Sequence, residues 1–359
     1  MNLPKQKFCV FCGEPPEGKT LEHVLPKWLI EFTGDPKREW TFGSYLIDHT
    51  LKPPKQFSLK EFAFPACHRC NQNMSTLEGR VKNIFEAKLQ PRKHLEADEI
   101  TDLLDWLDKI RIGLWLAGIQ LHQNPQGIIP KFHINTRIGI KDRLLLIYPY
   151  NTEALGMNLF CESTPIFAYK PSCFAIKING NFLISLSDDF LVSRFLGMPY
   201  PSKIEFEDTG NYAIEAMEVK RKTVTPRFKF LNFAKPSVFI AQTAVRKNIF
   251  DEFAHHYKTA FGYGDIAFDE SRLLGSPYDC LQSKFITKHD ALPYGEILLA
   301  EAKPFYELAL QAFDLQIHDF SKSPFNTMEN EYKKQAIKTT KKIRNLYKMA
   351  FKSGKLSFS

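Results

Sequence analysis

Two Cys-x2-Cys pairs, Cys9/Cys12 and Cys67/Cys70, constrain this chain more than any other feature of its sequence. The spacing puts both sulfurs of a pair on one turn, where they share a cation, and two pairs complete a closed tetrahedral S4 site for Zn2+. A closed site has no open position, so the expected zinc is structural. Four thiolates gathered without a cation would repel, and their pKa values would rise. Four reduced core cysteines, or disulfides, are the alternatives. Cys161, Cys173 and Cys280 stand singly, and seven cysteines in 359 residues are not a disulfide scaffold. No continuous apolar segment follows the charge in MNLPKQKFCVFCG, so no signal peptide is read. The pairs are therefore expected as metal thiolates in a reducing, cytoplasmic compartment.

The length suggests two domains. Residues 1–90 read as a small zinc-stapled unit and residues 95–359 as a larger one, joined by a charged linker at 91–98. In the first unit the sequence predicts a short strand to Val24, a helix from about Pro26 and a long loop or insertion over 33–60. Phe62 and Phe64 alternate with polar or small neighbours like a strand entering the second cysteine pair. A helix then runs from Asn71 to about Leu89, with Met74, Leu77, Val81, Ile84 and Phe85 at helical spacing. Asp98 to about His122 is the clearest helix, a core helix with one broad apolar face. Residues 128–240 read as mixed, mainly β, on short apolar or aromatic runs: Leu144–Tyr148, Ile166–Tyr169, Phe174–Ile178, Phe182–Leu186 and Phe228–Phe233. The third and fourth make a hairpin around Asn179-Gly180-Asn181. Residues 241–262, 301–316 and 328–350 look helical. The apolar runs fall short of the roughly 18–20 residues that span a bilayer.

A shared zinc would bring Glu22-His23 close to Asn71. His23 offers an imidazole able to take a proton from water near neutral pH. Glu22 and the amide of Asn71 offer hard oxygen ligands, which suit Mg2+ or Mn2+ held partly by substrate phosphates. The set supports metal-assisted hydrolysis of a phosphodiester.

Cys9-Val10-Phe11-Cys12-Gly13, Glu22-His23-Val24-Leu25-Pro26 and Cys67-His68-Arg69-Cys70-Asn71 together resemble the zinc-stapled subclass of the HNH (ββα-metal) endonucleases. The resemblance covers about residues 5–90. There it implies a ββα-metal module. With the helical and strand-like runs beyond it, the chain is expected to be α+β: that module, then a larger mixed helix and antiparallel-sheet domain with a basic C-terminal helix at 329–352. The resemblance also implies a metal-dependent endonuclease acting on DNA, with His23 as general base and Glu22 and Asn71 holding the catalytic ion. Defence against foreign DNA is one setting that the resemblance suggests. Glu78, two helical turns past Asn71, is an accessory candidate. The family's middle Asn has no counterpart, and Glu61 is the only polar residue in its stretch.

From Glu331 onward there are nine Lys or Arg residues against one acid, a local net charge equal to the +8 of the whole chain. A basic helix can hold a phosphate backbone by salt-dependent contacts. Lys338, Lys341, Lys342 and Arg344 are the expected nucleic-acid contacts, with DNA first, RNA left open and a protein partner possible. The competing reading is a non-catalytic zinc-stapled module that binds nucleic acid or a protein, which the missing middle Asn favours.

Overall fold

The structure is a computed structural model. It describes residues 8–18, 20–34, 36–37, 39–42, 55–58, 63–89, 91, 95–121, 134–139, 141–149, 155–190, 193, 200–206, 212–218, 238–242, 294–322 and 330–352. Phe228–Phe233, Glu61 and residues 243–262 lie outside this set.

The N-terminal region opens on the turn that carries Cys9 and Cys12. Gly13 adopts φ +81°, and its N–H donates to the Cys9 carbonyl at 2.9 Å. Strand β1 (Thr20–His23) pairs antiparallel with β4 (Ala63–Ala66), Glu22 opposite Phe64 and His23 opposite Ala63. Helix α1 (Lys27–Phe32) follows β1, with Pro26 as its N-cap rather than its first helical residue. The stretch expected as an open loop instead contains a second antiparallel pair, β2 (Glu39–Phe42) with β3 (Lys55–Ser58). Helix α2 (His68–Ile84) starts directly from the second cysteine pair, with Cys67 as N-cap, and ends in a π-helical turn at Phe85–Leu89.

Helix α3 (Ala97–Leu121) crosses the middle of the molecule. Residues Trp106 to Ala117 are all buried, so this helix has no solvated face along those turns. Trp28 of α1, Phe85 and Trp106 of α3 form one aromatic cluster, with ring centroids 5.8–6.1 Å apart. A side chain at Gly113 would meet Val24 Cγ1 at 3.0 Å, so the glycine permits α3 to lie against the end of β1.

A five-stranded antiparallel sheet stands beyond α3, in the order β11-β5-β8-β7-β6. Its strands are β5 (Asp142–Pro149), β6 (Met157–Phe160), β7 (Cys173–Ile178), β8 (Asn181–Asp188) and β11 (Val238–Gln242). The anticipated hairpin is β7–β8, with Asn179 at φ +48° in its turn. Ile166–Tyr169 was expected among the strand-like runs, but it lies in a short helix, α4 (Pro165–Tyr169). Thr164 caps that helix by accepting the Phe167 N–H at 3.2 Å, and Pro165 starts it. β9 (Tyr200–Phe206) and β10 (Tyr212–Glu218) form a separate pair.

The sheet is buried on both faces. Leu145, Ile147, Phe174, Ile176 and Leu183 face α3 and share its core with Phe11, Val24 and Leu29 of the N-terminal region. Leu144, Leu146, Tyr148, Phe182 and Ile184 face the other way. They pack on helix α5 (Tyr294–Lys322) and on Ile343 of helix α6 (Asn330–Lys352). The result is a mixed helix-and-sheet architecture: an N-terminal cysteine-bearing region followed by a larger helix-and-sheet region. The ββα-metal fold named in the sequence reading is not established by it.

Candidate metal centre

The four cysteines meet as their spacing predicts. One ligand atom from each of Cys9, Cys12, Cys67 and Cys70 falls within 4.8 Å of all the others. Cys12 Sγ and Cys67 Sγ are 3.8 Å apart, far beyond the roughly 2.05 Å of a disulfide, and all four thiols are free. Local backbone geometry builds the cluster. The Cys67 N–H donates to Cys9 Sγ at 3.2 Å, while the Cys9 N–H donates to the Glu14 carbonyl at 2.8 Å. The Val10 N–H donates to the Pro65 carbonyl at 2.9 Å, which fastens the first turn to β4. On the other side, the Ile134 and Asn135 N–H groups donate to the Val10 and Phe11 carbonyls at 2.9 and 3.1 Å.

Cys9 and Cys67 are buried, whereas Cys12 and Cys70 are half-buried. Crowding drives the thiols apart in acidity. Burial pushes Cys70 up to about 12, and its neighbours Cys12 and Cys9 add to this. Cys9 is brought down to about 7: burial opposes the change, but N–H donation from Cys67, Cys12 and Phe11 outweighs it. A cation at the centre would favour the thiolate at all four positions.

The residues assigned to a second, catalytic ion are placed differently. The Glu22 carboxylate is buried and pairs with the ammonium of Lys109, whose side chain is only 1% exposed. Glu78 pairs with the same ammonium, which also donates to the His23 backbone carbonyl at 3.2 Å. Three acceptors thus take the three N–H groups of one buried lysine. Burial raises the Glu22 carboxyl above its ordinary range; Lys109 pulls it down and Glu78 pushes it up. Asn71 Nδ2 donates to the Leu21 carbonyl at 3.4 Å. His23 is half-buried on β1, and His68 is exposed between its cysteines.

Among the described residues, the four cysteines are the one group of His, Cys, Asp or Glu side chains able to hold a metal ion. Glu22 and His23 do not belong to it. The resemblance to HNH endonucleases is therefore corrected, and with it the metal-dependent nuclease, the hydrolase and the role in defence. The proposed catalytic centre contains an intramolecular ion pair, and the ligand set that does assemble is all sulfur, without a histidine base. No second ligand cluster for the expected Mg2+ or Mn2+ is found among the described residues. Compared with protein-family models, curated proteins and solved structures, the chain matches none.

Sequence reasoning missed Lys109. The signal was faint: LLDWLDKIRIGLW carries Asp105, Asp108, Lys109 and Arg111 inside an otherwise apolar helix. All four find ionic partners, Arg143 for Asp105 and Arg111 for Asp108.

No helix among the described residues is long and apolar enough to cross a membrane. On helix α6, Lys338, Lys341 and Lys342 are exposed. Arg344 is half-buried and pairs with Asp314 of α5 through two hydrogen bonds of 2.7 Å.

Proposed function

We propose that this chain is a non-catalytic, zinc-stapled nucleic-acid-binding protein. Zn2+ is held by Cys9, Cys12, Cys67 and Cys70, residues 1–90 form the stapled unit, and residues 95–359 carry the basic helix that meets the partner. The closed sulfur cluster carries this reading. A tetrahedron with Zn–S bonds of about 2.3 Å has S···S edges of about 3.8 Å, which fits the 3.8 Å between Cys12 and Cys67. Four sulfurs complete zinc's usual coordination and leave no position for a substrate or an activated water. The ion's role is to tie β4 and the start of α2 to the first turn, adding to the β1–β4 pairing and the Val10–Pro65 hydrogen bond. Thiolate ligation fits a reducing, cytoplasmic setting. The partner class follows from charge: the +8 of the whole chain is concentrated beyond Glu331.

The test is elemental analysis of protein prepared without chelator, together with binding and cleavage assays on duplex DNA. The expected outcome is about one zinc per chain, salt-dependent binding and no cleavage in Mg2+ or Mn2+. A zinc-free protein, or one that ignores nucleic acid and captures only a protein partner, would overturn the corresponding part. Cleavage that survives purification and is lost in His23→Ala would overturn the non-catalytic assignment.

A further inference from the structure

Helix α6 divides its charge between two faces. Ala336, Thr340 and Ile343 are buried, and half-buried Tyr347 joins them on the docked side. Tyr347 packs on Phe313 of α5 and Phe160 of β6, with ring centroids at 5.2 and 6.3 Å. Arg344 lies at the edge of that side, and its fork engages both oxygens of Asp314, a bidentate geometry that fixes one helix on the other. The opposite side carries Lys334, Lys338, Lys341, Asn345 and Lys348, all exposed. These positions recur at intervals of four, three, four and three, so they form one row. At about 1.5 Å per residue the row is about 21 Å long. Lys342 flanks it. Glu331 is the acid in this helix, and it pairs at 2.8 Å with Lys334 at the N-terminal end.

We propose that this row is a contact for the phosphate backbone of a nucleic-acid duplex, and that Arg344 holds the helix in place rather than touching phosphate. The inference rests on the nucleic-acid reading above and assigns its surface. A row of four lysines and one asparagine on a docked helix suits a rigid rod carrying one charge per about 1.7 Å of axis. An anionic membrane fits less well. A helix lying in a membrane interface turns its apolar side outward, whereas the outward row here has no apolar member. The exposed apolar residues Leu346 and Met349 sit on one flank near the C-terminal end.

The experiment compares full-length wild type, a quadruple Lys334→Gln, Lys338→Gln, Lys341→Gln, Lys348→Gln variant, and Arg344→Ala. Binding to a 20-base-pair duplex and to anionic vesicles is measured across salt concentrations, with zinc content and thermal midpoint recorded for each protein. The expected result is a quadruple variant with unchanged zinc and thermal midpoint. Its duplex affinity should be at least tenfold weaker, and its salt slope smaller by about 3 to 4. Arg344→Ala should lower the thermal midpoint but keep the salt slope. If wild type binds duplex and the quadruple variant binds equally well, the row is not the surface and the broader reading stands. If wild type binds no duplex, both fail. Row-dependent binding to vesicles with none to duplex would replace the partner by a lipid surface.

Discussion

The ammonium of Lys109 lies 3.2 Å from the backbone carbonyl oxygen of His23, 86 residues earlier in the chain. The same ammonium faces Glu22 and Glu78, so one buried lysine joins β1, α2 and α3. Removing one partner from a buried ionic group is costly because the remaining charges stay buried. Lys109→Met should therefore destabilise the protein by about 3–5 kcal/mol at neutral pH. The Glu22 carboxyl, already raised by burial and by the neighbouring Glu78, loses the cation that pulls it down. Stability from such a group is full below the unfolded carboxyl pKa and is lost as pH rises through the folded one. Urea titrations of Lys109→Met should accordingly show the deficit shrinking toward pH 4.5. A deficit that is constant across pH would mean that lost packing, not charge, is responsible.

Zinc should depend on the four clustered cysteines and on no others. Cys12 is the informative position, because it is only half-buried and serine is close to it in size. Cys12→Ser should take zinc from about one per chain to well below half and lower the thermal midpoint by several degrees. Cys161→Ala should leave zinc unchanged, although it opens space in the buried cluster between sheet and helices. Elemental analysis and a thermal scan of both variants decide this.

The carboxyls of Asp188 and Asp319 predict an alkaline limit to stability. Both side chains are wholly buried where β8 meets α5. Burial and the adjacent Asp188 push Asp319 well above the ordinary carboxyl range. Burial also acts on Asp188, but the Lys170 ammonium beside it holds its pKa below the usual value. Ser172 Oγ donates to Asp319, and Lys141 and Asp189 complete the charged surroundings. A raised carboxyl adds stability at low pH that disappears as pH rises through its folded pKa. Asp188 has the opposite sign: its contribution is present above the unfolded pKa and fades on acidification. Asp319→Asn should flatten the alkaline decline and preserve the acid one. Denaturant midpoints from pH 4 to 9 would show it, and an unchanged alkaline limb would sink the assignment.

Contact between Gly113 and Val24 should be visible as a coupling. Gly113→Ala gains about 1 kcal/mol of helix propensity, but the new methyl group must displace Val24 from its place in the core. The expected balance is a loss of about 1 kcal/mol, in line with overpacking. In a double-mutant cycle, Val24→Ala should remove that loss, so the two changes together cost less than their sum. Additive costs would show that the helix shifts away instead.

What could be read from the sequence follows the range of the interactions. The cysteine cluster was legible because ligand spacing is local and metal chemistry demands four donors. Helix α3 and the β7–β8 hairpin were legible because apolar periodicity and the Asn179-Gly180 turn act within a few residues. Glu22-His23 was misread because a two-residue motif says nothing about Lys109, which reaches it from a helix that begins some 75 residues later. The β2–β3 pair was missed because its strands are only four residues each, and Pro53-Pro54 directly before the second reads as a break. Ile166–Tyr169 was read as one more strand-like run, although Thr164-Pro165 before it is a helix start signal.

The sheet owes its cover to segments far apart in the chain. One face is sealed by α3, made early, and the other by helices that begin only at Tyr294. During synthesis, Leu144, Leu146, Tyr148, Phe182 and Ile184 must wait, paired into strands yet bare on one side, until helices α5 and α6 have emerged. A ribosome-bound intermediate of this kind is prone to aggregate. Chain termination or slow translation after the sheet, rather than damage to the sheet itself, is therefore the event most apt to send this protein to chaperones and proteases.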